Sequence, residues 1–161
     1  MALARVGFGL GSNMGDKPGN IREALRLLEE RGVARLDAVS RIYRTPPWGV
    51  LDQGDFANAC AVGATALSPY ELLAAVKKIE ADMGRAPTRR WGPRLIDVDI
   101  LFLGESRLDD PELTIPHKEL FQRGFVLAPL AEIAPDLFLD GVSVAAAAAA
   151  ADLSGMSFWN A

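Results

Sequence analysis

Apolar residues recur along the chain with two spacings, about two and about three and a half, and the switches between them mark out the elements. Residues 4–10 alternate as a strand, with glycines at 7, 9 and 11 on one face. A turn-rich loop from Gly11 to Asp16 leads to Pro18 and a helix carrying Ile21, Ala24, Leu25 and Leu28 on one stripe, closed by Gly32. A second strand is expected from about 34 to 43, with Leu36, Ala38 and Ile42 in phase. Residues 45–55 hold two prolines and two glycines and predict a long loop. A third strand follows over about 56–65, and Ser68-Pro69-x-Glu71 opens a second helix in capping-box style, with Leu72, Leu73, Val76, Ile79 and Met83 inward. After an arginine-rich loop over 85–94, Ile96, Val98, Ile100 and Phe102 alternate against Asp97 and Asp99, and Ile100–Leu103 turns wholly apolar, as a strand end buried on both faces would. A short strand near Arg107–Leu108 is expected to pair with it. Short helices are predicted to start at Pro116–Leu120 and to span Arg123–Leu130, and the seven alanines at 145–151 are strong helix formers. The order β-α-β-β-α-β predicts an α+β fold, the ferredoxin-like plait: an antiparallel sheet, both helices on one face, the other left to the loops at 45–55 and 85–94. With no repeats and no linker, residues 1–161 read as one domain.

Composition narrows the partners. Half of the 161 residues are hydrophobic and 24% are charged, with a net charge of −4. An acidic balance argues against nucleic acid and anionic membranes as partners and favours small molecules. The single cysteine, Cys60, excludes an internal disulfide framework and, within the apolar run 57–62, reads as a small buried hydrophobe. No apolar run reaches membrane-spanning length, and the N-terminus runs straight into a strand pattern, so a cytoplasmic protein is expected. The lack of an obvious exposed apolar stripe makes a monomer the expectation.

The candidate chemistry centres on Asp97 and Asp99. Two apart on a strand, their carboxylates share a face and repel unless a cation or a shared proton intervenes. Hard oxygen donors so spaced suit Mg²⁺, which takes one or two carboxylates plus substrate phosphates. Arg85, Arg89, Arg90 and Arg94, just upstream, are what a Mg²⁺–polyphosphate site needs. Taken alone, the same residues also fit a solvated edge strand with ordinary salt bridges. A dinucleotide-binding loop at Gly9-x-Gly11 and Gly15 misses the glycine fingerprint and lacks parallel βαβ repeats. A ligand-binding module without chemistry is the other alternative.

Several motifs together resemble one family. Gly11-Ser12-Asn13 follows the first strand; Tyr43-Arg44-Thr45-Pro46-Pro47 precedes Phe56-x-Asn58-Ala59. Arg90-Trp91-Gly92-Pro93-Arg94-Leu95-Ile96-Asp97-Val98-Asp99-Ile100, Pro116-His117 and Arg123-Gly124-Phe125-Val126-Leu127-x-Pro129-Leu130 complete the set. In this order they resemble the 6-hydroxymethyl-7,8-dihydropterin pyrophosphokinases of folate biosynthesis, which move a diphosphate from ATP to a pterin alcohol and release AMP.

The resemblance implies roles residue by residue. Asp97 and Asp99 would hold two Mg²⁺ ions, with ATP as co-substrate, and Arg85 and Arg94 would close over the triphosphate. Phe56 and Phe125 would stack on the pterin, with Asn58, Thr45 and the backbone at Pro46 and Pro47 on its polar edge and Trp91 as a lid. His117 would contact an ATP phosphate, and Thr114 and Ile100 the base and ribose. Glu80 reads either as an ATP contact or as an exposed helix charge. Arg123 would reach phosphate or pterin. Some relatives carry tyrosine where this chain has Lys118, which would instead add charge toward the triphosphate; others have tyrosine at Phe56, where phenylalanine keeps the stacking face.

Overall fold

The computed structural model describes residues 3–46, 54–84 and 95–159. Strand β1 (Ala4–Ser12) leads to helix α1 (Lys17–Glu30), β2 (Arg35–Val39), β3 (Tyr43–Thr45), β4 (Phe56–Thr65), helix α2 (Pro69–Asp82) and β5 (Asp97–Leu103). Then come β6 (Leu108–Asp109), β7 (Thr114–Ile115), a 3₁₀ turn (Leu120–Gln122), α3 (Gly124–Ile133), β8 (Phe138–Leu139), β9 (Val142–Ser143), α4 (Val144–Ala150) and β10 (Ser157–Phe158). The main sheet is antiparallel throughout, in the order β10-β3-β4-β1-β5, with β2 also paired to β4. This is the expected plait.

Both long helices start where their caps place them. Asp16 accepts from the Gly19 N–H at 3.1 Å, and Ser68 and Glu71 form the reciprocal capping box. Gly32 takes the positive φ that ends α1. Ile21, Ala24 and Leu28 of α1 and Leu72, Val76 and Ile79 of α2 are buried as expected, in a core with Val6, Phe8, Leu10, Ile96, Val98 and Ile100. The opposite face is not left to loops alone. There Cys60, Val62, Leu101 and Phe102 pack under α3 and α4, through Leu120, Val126, Leu127, Leu130 and Val144.

A bulge in β5 explains its apolar end. Gly7 pairs with Phe102 but Phe8 with Ile100, so Leu101 is extra, and Leu101 and Phe102 both point to the α3 side. Gly7 has no room for a Cβ, which would lie 2.3 Å from the Phe102 ring.

Three expectations need correction. The strand expected over 34–43 is two strands, because Ser40 interrupts the ladder: its N–H donates to the Cys60 carbonyl (2.9 Å) and its Oγ accepts from the Cys60 N–H (2.9 Å). The short strand after Gly104 pairs with β7 rather than β5. The outer edge of β5 is already engaged, by Glu80 at the Val98 N–H and by the His117 N–H at the Leu101 carbonyl. The helix start expected at Pro116–Leu120 is a single 3₁₀ turn from Leu120, while the next helix runs over Gly124–Ile133.

Candidate functional site

The glycine face of β1 organises the site. Gly9 pairs with Asp99 on one side and Cys60 on the other; Gly11 pairs with Asp97 and Asn58. With no side chain between them, the acids of β5 and the polar residues of β4 flank an open groove. Side chains here would crowd the groove's walls: a Cβ on Gly11 would lie 3.0 Å from Asn58 Oδ1, and one on Gly9 3.3 Å from Leu101. Above it is a cleft of about 320 Å³, walled by Thr45, Pro46 and Phe56 on one side and Phe125 and Val126 on the other.

Asn58 and Thr45 are buried, and the Asn58 amide donates to Thr45 Oγ1 at 2.7 Å, which holds it in one orientation. Phe56 opens β4 opposite Thr45, and Phe125 stands in the first turn of α3. Strand pairing and helix start thus place two aromatic rings in the walls of a single cleft.

At the other end are the charges. Asp97 and Asp99 face the groove half-buried, the Asp99 side chain 45% exposed. Their donor set fits a Mg²⁺ ion that keeps water and substrate oxygens: two hard carboxylates, with no cluster of three or more potential ligands among the described residues. His117 Nε2 lies 3.9 Å from Asp99 Oδ2, and its Nδ1 accepts from the Glu119 N–H at 3.2 Å. The proton of the neutral ring is therefore assigned to Nε2. Burial holds the imidazole below its ordinary pKa, against the pull of Asp99. Arg123 pairs with Glu119 at 2.8 Å, its side chain only 16% exposed, and lies 5.6 Å from the Phe125 ring.

A second cleft, of about 190 Å³, opens on the far side of Asp99 and gathers the residues expected around the nucleotide. Ile100, Thr114, His117 and Lys118 all line it. Lys77, which the sequence reading did not single out, lines both clefts, as do Asp99, His117 and Lys118. It lies one turn before Glu80 on α2, so the face that carries Glu80 was the signal available for it.

Glu80 is neither exposed nor a simple helix charge. It is 2% exposed, accepts from the Val98 N–H at 2.7 Å and has Lys77 at 3.4 Å. Val98 sits between the two aspartates, so Glu80 anchors the backbone that presents them. Pro47, Arg85, Trp91 and Arg94 lie outside the described residues, as do Arg89 and Arg90.

The antiparallel plait thus presents a bare groove flanked by paired acids, basic side chains and aromatic rings, a constellation suited to small-molecule ligands. Residues 7–135 match the family described as 7,8-dihydro-6-hydroxymethylpterin-pyrophosphokinase (HPPK), and the chain belongs to that family. It is 46% identical to the 2-amino-4-hydroxy-6-hydroxymethyldihydropteridine pyrophosphokinase of Methylorubrum extorquens over 154 residues, 96% of this chain and 98% of that one. The Pseudomonas aeruginosa protein of the same name is 45% identical over 137 residues, covering 85% of each. Among solved structures, the wild-type HPPK-DHPS of Plasmodium falciparum with pteroate superimposes with a TM-score of 0.74 at 16% identity, over 92% of this chain and 42% of that one. That likeness speaks for the fold alone.

Proposed function

We propose that this chain transfers the terminal diphosphate of ATP to the hydroxymethyl group of 6-hydroxymethyl-7,8-dihydropterin, giving AMP and the pterin diphosphate for folate biosynthesis. The observation that carries the reading is the glycine groove. It sets a wall able to clasp a flat heterocycle, made of Thr45, Asn58, Phe56 and Phe125, beside the paired carboxylates of β5. Family membership and the names of the relatives support the same substrates.

The main cleft then holds the pterin and the second cleft the nucleoside, with the triphosphate across their junction at Asp99, His117, Lys118 and Lys77. Asp97 and Asp99 would hold two Mg²⁺ ions, whose charge offsets that of the phosphate oxygens during in-line displacement. The protein's own contribution is placement. Asn58 and Thr45 orient the heterocycle by hydrogen bonds to its edge. The rings of Phe56 and Phe125 clasp its faces and exclude water. His117, neutral through burial, offers its Nε2–H to a phosphate oxygen, and Lys77, Lys118 and Arg123 add positive charge. Arg85 and Arg94 are assigned to the triphosphate, and Trp91 and Pro47 to the pterin side, on the family motif. Among the described residues, no serine or cysteine is hydrogen-bonded to His117, consistent with direct transfer rather than a covalent enzyme intermediate.

We place the protein in the cytoplasm as a monomer acting on small molecules; its net charge of −4 supports neither nucleic acid nor anionic membrane as a partner. No helix among the described residues is long and apolar enough to cross a membrane. The test is incubation with ATP, Mg²⁺ and the hydroxymethyl dihydropterin. AMP formed one-for-one with pterin diphosphate is the expected result. ADP, or ligand binding without turnover, would overturn the reading.

A further inference from the structure

The C-terminal segment carries no motif, yet it is built against the base of the pterin wall. β10 adds to the sheet edge at β3, pairing Ser157 with Arg44 and Phe158 with Tyr43, and the Trp159 N–H donates to the Ile42 carbonyl at 3.0 Å. β3 ends at Thr45 and Pro46 follows it, and both line the main cleft. Gly155 lies against Pro46, where an added Cβ would stand 3.3 Å from the proline ring.

Trp159 joins this segment to the other end of the same wall. Its ring lies under the Arg44 guanidinium, 3.6 Å to the centroid, with Lys17 Nζ at 5.9 Å. The same two cations hold Asp55: Lys17 donates to its carbonyl at 2.7 Å, and Arg44 approaches its carboxylate at 3.8 Å. Asn13 holds the neighbouring Gly54 carbonyl at 2.7 Å. Asp55 directly precedes Phe56, which pairs with Thr45. One indole ring thus orders the two cations that set where Phe56 enters the sheet. The indole Nε1 is buried without a hydrogen-bond partner among the described residues, so the ring face rather than the N–H makes the useful contact.

We propose that Gly155–Trp159 is a positioning strap for the pterin wall, with Trp159 as its key residue, acting through Arg44 and Lys17 on Thr45 and Phe56. A covered sheet edge and a stacked guanidinium are rigid supports, and small displacements of substrate-orienting groups cost disproportionately. The strap's hydrogen bonds and ring contacts among the described residues run to β3, Ile42, Arg41, Arg44 and Lys17, on the pterin side, so its effect is directed at that substrate. The proposal rests on the assignment of the Thr45–Asn58 wall to the pterin.

The test compares Trp159→Ala, Trp159→Phe and Arg44→Gln with the intact chain. Measured quantities are KM for each substrate, kcat, and backbone amide exchange at residues 43–45 and 55–56. Trp159→Ala is expected to raise the pterin KM about five-fold, equivalent to about 1 kcal/mol, with the ATP KM changed less than two-fold. Exchange at both ends of the wall should quicken. Trp159→Phe should restore most of the affinity, because it keeps an aromatic face, though a smaller one, and the N–H it loses makes no hydrogen bond among the described residues. Arg44→Gln, an exposed change that tests the same contact if the alanine variant does not fold, should mimic Trp159→Ala. An unchanged pterin KM, equal rises for both substrates, or a phenylalanine variant as poor as alanine would overturn the strap. Failure of the intact chain to form AMP would instead overturn the substrate reading, and the exchange data would still decide the strap: unaltered exchange refutes it.

Discussion

Replacing Glu80 with alanine removes the group that fixes Val98 between the two aspartates. The lost bond is a 2.7 Å contact from a backbone N–H to a carboxylate that is 2% exposed. Hydrogen bonds to charged groups contribute about 1.5–3 kcal/mol, and the orphaned N–H lies at the outer edge of β5, where no strand among the described residues can receive it. The Lys77 pair adds little, roughly 0.3–0.5 kcal/mol, because that lysine is 57% exposed. The expected loss is about 2–3 kcal/mol, a drop in Tm of roughly 5–10 °C for a domain of this size. Glu80→Gln keeps an acceptor at the same place and should cost about 1 kcal/mol. Calorimetry on both variants measures the difference. A kinetic consequence follows at 25 °C, where both variants remain folded: the alanine variant should lose more turnover than the glutamine variant, since only alanine frees the Asp97–Asp99 backbone. If Glu80→Ala melts within 1 °C of the parent, the carboxylate is not the anchor described. If glutamine is as inactive as alanine while equally stable, Glu80 acts by its charge on the substrate rather than through Val98.

Two further perturbations probe the groove and the second core. Gly11→Ala puts a methyl 3.0 Å from Asn58 Oδ1, so the amide must give by a few tenths of an ångström and its bond to Thr45 is disturbed; the pterin KM should rise on the order of ten-fold with little change in Tm, and an unaltered KM would contradict the groove. Cys60 is buried beneath α3, and burial pushes its thiol far above the ordinary pKa. It should resist iodoacetamide at pH 8 in the native protein and react fully in denaturant; rapid stoichiometric labelling of the native protein would show that core to be open.

What was legible in the sequence follows the range of the forces involved. The capping box at Ser68–Glu71 and the Gly32 terminus are local chemistry, and both helices end where those residues stand. The alternation of Ile96, Val98 and Ile100 against the aspartates is also local, and it placed the acids on one face before any tertiary contact was known. Long-range pairing was not legible. Ser40 reads as an ordinary strand residue until Cys60, twenty positions on, supplies the partners that break the strand there. The two residues of β10 have no periodicity to detect, and their partner strand lies more than a hundred residues earlier. Glu80 looked like either a ligand contact or a surface charge because its burial depends on β5 crossing beneath α2. The apolar pattern of α3 announced a helix but not that it would cover the second face, since either face of the sheet could have received it.

On the proposed function, the carboxylates of β5, held over a bare glycine groove beside the Thr45–Asn58 wall, are the seat of diphosphate transfer. The most direct measurement is the rate of AMP formation from ATP and hydroxymethyl dihydropterin, at saturating Mg²⁺, for the intact chain and for the double variant Asp97→Asn/Asp99→Asn. Asparagine keeps the size of each side chain and removes only the charge, and equal melting temperatures establish that the fold is retained. The double variant is expected to lose AMP formation on the order of 10²–10³-fold or more, with pterin affinity largely kept because Asn58, Thr45 and Phe56 are untouched. A folded double variant that makes AMP within ten-fold of the parent rate would contradict it.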